Sequence, residues 1–287
     1  MTLDGGVRSI APAESITVQH LLLTRFNVPF SAGYPGPFLD EQWLSNRVRL
    51  FDQFCFPSVM GQECAEFTWL IFCHGDTPVA IREQLASYER ANVRLVWADG
   101  PVTDMLVDAA VPEGAADQWL ATTRFDSDDA LACDFFCRLR EAVRPHWGPH
   151  VVNFINGYQW NRQKLYWLPD DSNPFTTLVD RRPRHGGRTI LTIPHPDLAR
   201  HAPIYQVKGQ PAWMQVVHGE NFENRVVGVR VPSKRARHRF SIDPRAWRSG
   251  EGLADVWPDL TATAARAALR ATTRRSSWHR LIKLLRG

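Results

Sequence analysis

The chain reads as an α/β protein: a mostly parallel, helix-flanked sheet, a hairpin-rich second half and a basic C-terminal helical tail. Three observations predict this. Apolar runs of strand length at 16–26, 67–73 and 93–97 alternate with segments of helical periodicity, the pattern of parallel strands joined by crossover helices. The first two runs read as strands buried by the protein on both faces. Beyond Val143 the apolar pieces shorten to hairpin length, and from 260 to 285 the chain becomes rich in Ala, Arg and Leu.

A chain of 287 residues, 44% hydrophobic and 22% charged, has the length and composition of a globular protein with a substantial core. It contains no run of eighteen apolar residues and no N-terminal signal pattern. The five cysteines (Cys55, Cys64, Cys73, Cys133, Cys137) form no close C-x-x-C pair, so reduced thiols in a cytoplasmic protein are expected. Eleven tryptophans favour a ligand with flat faces, a sugar or a base. The organisation expected is a loose lead-in over 1–14, one domain over 15–240 and a basic helical tail over 241–287.

The elements follow in order. Residues 16–26 form a first strand whose polar end, Thr24, Arg25 and Asn27, lies where an α/β sheet meets its ligands. A Pro/Gly loop at 29–37 leads to a helix over 40–54, capped by Asp40 and stopped by Pro57. A second strand at 67–73 is followed by a helix over 78–91 with Pro in its first turn, then a third strand at 93–97. The fourth strand runs into 122–125, and a helix covers 130–143. Segments 150–157 and 164–168 read as a hairpin turning through 158–163. Residues 173–180 read as a short capped helix, 187–193 as a strand, and 213–217 as a short apolar strand before His218. Residues 225–248 carry eight Lys/Arg against one acid, Asp243. After Asp259 there is no acid, yet Arg266, Arg270, Arg274, Arg275, Arg280, Lys283 and Arg286 occur, which suits contact with an anionic membrane surface. No recognition motif accompanies these arginines, so a nucleic-acid partner is not expected.

The chemically loaded stretch is Thr122-Thr-Arg-Phe-Asp-Ser-Asp-Asp-Ala-Leu131. Asp126 and Asp128 point the same way in an extended segment, because the strand period is two. Their mutual repulsion is relieved either by a divalent metal carrying a diphosphate or by a helix N-terminus, where Asp is a favoured cap. Mg²⁺ and Mn²⁺ take carboxylate and phosphate oxygens and keep waters.

The ordered set LLLTRFN (21–27), WLSNRVRLFDQFCFPSVMGQ (43–62), TTRFDSDDAL (122–131), NFINGY (153–158), NPFTTLVD (173–180) and WMQVVHGEN (213–221) resembles the rhamnosyltransferase family of bacterial glycosyltransferases. The resemblance covers roughly 17–225. It implies a GT-A-like fold and transfer of a sugar, rhamnose by the family's label, from a dTDP- or UDP-sugar to a saccharide or lipid-linked acceptor in envelope polysaccharide synthesis. It implies that Asp126, Asp128 and His218 hold Mn²⁺ or Mg²⁺, with Asp126 also a nucleotide-sugar contact and Asp129 either a further metal ligand or a helix cap. Thr24, Arg25 and Asn27 become donor contacts by strand-end position and family motif together. Arg124 is either a phosphate contact or the ion-pair partner of the acids. The acceptor base is sought among Asp170, Asp171 and Asp180, with Asp171 and Asp180 taken as catalytic. The expected location is cytoplasmic, peripheral at the inner membrane face. Two other readings use the same residues: a metal-dependent phosphohydrolase, and a non-catalytic carbohydrate- or membrane-binding protein. The first would want a Thr shortly after the acids, where Ala130 and Leu131 stand.

Overall fold

The computed structural model describes residues 17–34, 36–111, 119–219 and 225–247. The expected lead-in over 1–14 and the helical tail over 260–285 lie outside them. The elements are β1 (Val18–Arg25), α1 (Glu41–Leu50), α2 (Phe56–Met60), β2 (Thr68–His74), α3 (Val79–Ala86), β3 (Val93–Ala98), α4 (Asp104–Ala110), β4 (Trp119–Arg124), β5 (Ala130–Leu131), α5 (Phe135–Ala142), β6 (His150–Phe154), β7 (Asn156–Asn161), β8 (Lys164–Pro169), β9 (Thr177–Arg181), α6 (Leu198–His201), β10 (Ile204–Val207), β11 (Trp213–Val216) and β12 (Val229–Val231).

They form two sheets, a seven-stranded one ordered β10-β6-β9-β4-β1-β2-β3 and a five-stranded one ordered β12-β8-β7-β11-β5. In the larger sheet β9 alone runs against its neighbours; the β1–β2, β2–β3, β1–β4 and β6–β10 pairs are parallel. The predicted α/β class, with a mostly parallel sheet and a hairpin-rich second half, is therefore the observed one. Alternation along β1 sends Leu22 into one apolar cluster, with Leu44, Phe51 and Phe135, and Leu21 and Leu23 into another, with Val107 and Leu198. Helices thus cover both faces, which explains why β1 and β2 read as unbroken apolar runs. A third cluster packs the second sheet against Phe240, Ile242, Ala246 and Trp247, so the packed chain continues to Trp247.

Several local expectations are corrected. Pro57 does not stop the first helix: one π turn, Phe51–Cys55, joins α1 to α2. The Phe56 N–H reaches back to Phe51 O, and this longer step lets a residue without an N–H follow. Residues 130–131 are a strand, because Ala130 and Leu131 pair with Met214 and Trp213; the helix starts only at Phe135. The hairpin is β7–β8, not 150–157 with 164–168. Its turn is Arg162-Gln163, with φ of 46° and 63°, while β6 belongs to the large sheet. Residues 177–181 are β9, not helix. The Asn173 side chain accepts the Phe175 N–H at 3.0 Å and turns the chain into the slot between β4 and β6. Residues 187–193 are a folded turn, not a strand, gathered by Asp104, which accepts from Thr189 N, Thr189 Oγ1 and Thr192 Oγ1 at 2.6–2.8 Å. Cys64 and Cys137 are bonded as a disulfide, 73 residues apart in sequence, because α5 lies against the segment after α2; the five thiols are thus not all reduced.

Candidate functional site

β1 and β4 run parallel, and their carboxyl ends are where the strand order reverses, β2 and β3 lying to one side and β9 to the other. That switch point opens a crevice, the usual ligand position of open α/β sheets. Arg25 ends β1, Arg124 ends β4, and Phe125 N donates to Leu23 O at 3.0 Å, holding the two ends together. The acids follow at once. Because β4 belongs to one sheet and β5 to the other, residues 125–129 are the joint between the sheets. A cavity of about 850 Å³ lies over this joint, lined by Arg25, Arg47, Arg124, Asp126, Asp128 and Asp129, with Trp213, Gln215 and Asp170 among its other residues.

The three acids have different surroundings. Asp128, buried, receives Arg47 Nη1 at 3.0 Å on Oδ2, and His218 Nε2 lies 2.7 Å from the same oxygen. Burial disfavours its charge, but Arg47 and the His218 hydrogen bond outweigh this and hold the carboxyl below its ordinary range. Asp126 is pushed up by burial and by the neighbouring Asp128 charge, against the pull of Arg25, Arg124 and Arg47. Asp129 is pushed well up by burial and by both neighbouring acids. Its Oδ1 accepts the Val216 N–H at 2.7 Å, which ties β11 to the joint and brings His218, two residues on, to Asp128.

The cations are placed with equal definition. Arg25 stacks over Phe30, 4.4 Å from the ring centroid, and burial, then the Arg124 charge, lowers its pKa to about 10. Arg124 donates through Nη2 to Ile190 O and Ile193 O at 3.0 and 3.2 Å, so it fastens the 187–193 turn as well as lining the cavity. Arg47, in the middle of α1, lies 4.7 Å from the Trp43 ring centroid one helical turn back.

The structure places four expected site residues elsewhere. Thr24 is fully buried and accepts from Trp69 Nε1 at 2.9 Å, since its side chain falls on the core face of β1. Asn27 is buried too, donating to Phe38 O and Thr77 Oγ1 and accepting from His74 N. It shapes the loop after β1 and does not line the cavity. Asp180 sits opposite Leu120 at the far end of β4, roughly 13 Å along the strand from Arg124 at the usual rise per residue. There it accepts from Arg181 N and Arg188 N and contacts His201 Nε2. Asp171 is exposed and not part of the cavity wall; its backbone carbonyl accepts from Gln206. Of the three acids considered for a base, Asp170 is the one that lines the cavity. Its Oδ1 accepts Ser172 N at 2.8 Å, and its backbone is held by Ile155 O and by the Asn153 and Asn173 amides. The sequence marks Arg47 only by its position one turn after Trp43, on the helix that leaves the ligand end of β1.

The donors suit a divalent ion only in part. Among the described residues no three His, Cys, Asp or Glu side chains are grouped to hold a metal by themselves. Asp128 and His218 are in contact, with Asp126 on the same wall, and a small divalent ion commonly takes one or two carboxylates and completes its shell from phosphates and water. The residues therefore fit an ion that arrives with a diphosphate.

No protein of curated function matches the chain by sequence. Two Staphylococcus aureus TarS structures overlap it. The fragment 1–349 has a TM-score of 0.39 at 9% identity, covering 70% of this chain and 61% of that one. The same fragment in complex with UDP-GlcNAc has a TM-score of 0.40 at 10% identity, covering 73% and 62%. The chain thus spans about three fifths of the TarS fragment, and overlap this loose aligns no site residues. The family pattern described as "Putative rhamnosyl transferase" matches residues 19–230 and so takes in β1, α1, the acid joint, the hairpin and His218. The chain belongs to the rhamnosyl transferase family.

Proposed function

We propose that the protein is a nucleotide-sugar glycosyltransferase whose donor diphosphate lies over the joint between the two sheets. The observation that carries this is the meeting of Arg25, Arg47 and Arg124 with Asp126 and Asp128 around one cavity at the sheet's switch point, with His218 against Asp128, in a chain of this family. Burial makes both halves of that set costly unless a partner of matching charge pattern completes it. A diphosphate with its divalent ion, Mn²⁺ or Mg²⁺, is such a partner: anionic toward the arginines, cationic toward the acids.

The protein's own groups divide the work. Arg25 and Arg124 face the phosphates as the leaving nucleotide gains charge, and their partial desolvation strengthens that attraction. Asp128 and His218, with Asp126, would hold the divalent ion, which when bound supplies Lewis-acid stabilisation of the leaving diphosphate. Asp129 keeps His218 in place through Val216. On the acceptor side Asp170 is positioned to take a hydroxyl proton, the role of a general base in an inverting transfer. Trp213, buried and stacked on Phe175 with its Nε1–H bonded to Phe154 O at 2.7 Å, forms part of the rigid floor of the cavity. Rhamnose as the donor sugar, dTDP or UDP as its carrier, and a saccharide or lipid-linked acceptor at an anionic membrane are the partners proposed.

Purified protein titrated with dTDP-, UDP- and GDP-sugars, with Mn²⁺, Mg²⁺ or EDTA, tests the reading by calorimetry and by release of free nucleotide. Metal-dependent binding of one nucleotide sugar, weakened at least tenfold in Asp128→Asn, is expected. Absence of metal-dependent binding to every donor would overturn the transferase reading.

A further inference from the structure

Arg47 and His218 share one oxygen of the carboxylate that a donor-bound ion would use. Its Nη1 lies 3.0 Å from Asp128 Oδ2, and His218 Nε2 lies 2.7 Å from that same oxygen. A divalent ion ligated by Asp128 and His218 would enter between them, within a few ångströms of the guanidinium. Two like charges that close in a buried site repel strongly, so the guanidinium and the ion compete for Asp128. Without an ion, however, Asp128 has good reason to hold a cation, since a buried carboxylate beside two further acids is costly unless neutralised.

Arg47 also has somewhere to go. Its side chain is 17% exposed on the cavity wall, against 7% for Asp128, so it is the outer member of the pair. The Trp43 ring, 4.7 Å from its Cζ while it is bonded to Asp128, is a cation–π contact that Arg47 can keep after it lets go of the carboxylate. A planar guanidinium on that wall is suited to two-point contact with phosphate oxygens. We propose that Arg47 is a placeholder cation: it neutralises Asp128 while the cavity holds no donor, and passes to the donor's diphosphate when the divalent ion takes Asp128. Binding of ion and nucleotide is thereby coupled, because the nucleotide gives Arg47 its new partner. The inference rests on the cavity being a nucleotide-sugar site.

The coupling predicts effects of opposite sign from one substitution. In Arg47→Ala, Mn²⁺ alone, followed by the paramagnetic resonance signal of the free ion, should bind at least tenfold more tightly than to the unmodified protein, because its competitor is gone. UDP or dTDP at saturating Mn²⁺ should bind at least tenfold more weakly, because a phosphate contact is gone. Arg47→Gln, which keeps a polar side chain but removes the charge, should shift both affinities the same way, and thermal melts establish that both variants are folded. If Mn²⁺ affinity without nucleotide is unchanged or weaker in both folded variants, Arg47 does not compete for Asp128 and the inference is overturned. If nucleotide affinity is unchanged while Mn²⁺ tightens, the passage to the diphosphate is overturned. Failure of the unmodified protein to bind nucleotide with Mn²⁺ would instead remove the proposed function, and this inference with it.

Discussion

At the residue scale, carboxylates of one sequence type separate by what surrounds them. Asp170 lines the cavity, whereas Asp180 is a fastening point for Arg181, Arg188 and His201 at the other end of the sheet. Asp170→Asn should therefore cut turnover at least a hundredfold with nucleotide affinity nearly unchanged, the expected loss for a general base. Asp180→Asn should do the reverse, costing about 1–3 kcal/mol of stability while turnover per folded molecule is kept. Steady-state kinetics with a denaturant titration separates the two outcomes, and loss of turnover in a stable Asp180 variant would restore that residue as a catalytic candidate. The sequence exposed the acid cluster, Arg25 and His218, because a strand end and a family motif mark them. It hid the uses of Thr24 and Asn27, since whether a strand-end side chain meets a ligand or the core depends on which face of β1 it occupies. Arg47 was hidden for a related reason: its partner is 81 positions away.

At the element scale, strands covered on both faces were legible and the short elements were not. β1, β2 and β3 announce themselves as apolar runs. β5 and β9 do not, because two to five residues cannot show a period, and their identity comes from the neighbours they pair with. Gly157, on β7, shows how tight that pairing is. A Cβ there would run into the Trp213 ring of β11, and with β11 displaced the Asp129–Val216 tether would be strained. Gly157→Ala is expected to destabilise the protein by about 1–3 kcal/mol or more and to weaken nucleotide binding in the fraction that folds. A denaturant titration paired with calorimetry measures both; unaltered stability would mean that Trp213 relaxes freely.

At the scale of the whole molecule, pH and redox state act through groups remote from the site. Burial, aided by the Arg140 charge, lowers His20 to about 4, so the folded protein holds it neutral. Its contribution to stability is complete above its unfolded value near 6.5 and is lost as pH falls from there toward 4, on the order of 3 kcal/mol in all. Denaturant titrations between pH 7 and 4 should show a steeper loss in the unmodified protein than in His20→Asn; equal slopes would refute it. Cys64–Cys137 closes a span of 73 residues, worth about 4 kcal/mol by the chain-entropy estimate, so Cys64→Ser should lower the melting temperature. The joint at 125–129 has a wider consequence. Because β4 and β5 belong to different sheets and the acids lie between them, donor affinity doubles as a gauge of assembly. A lesion that lets the second sheet drift from the first would register as lost ligand occupancy well before it registered as an unfolded chain.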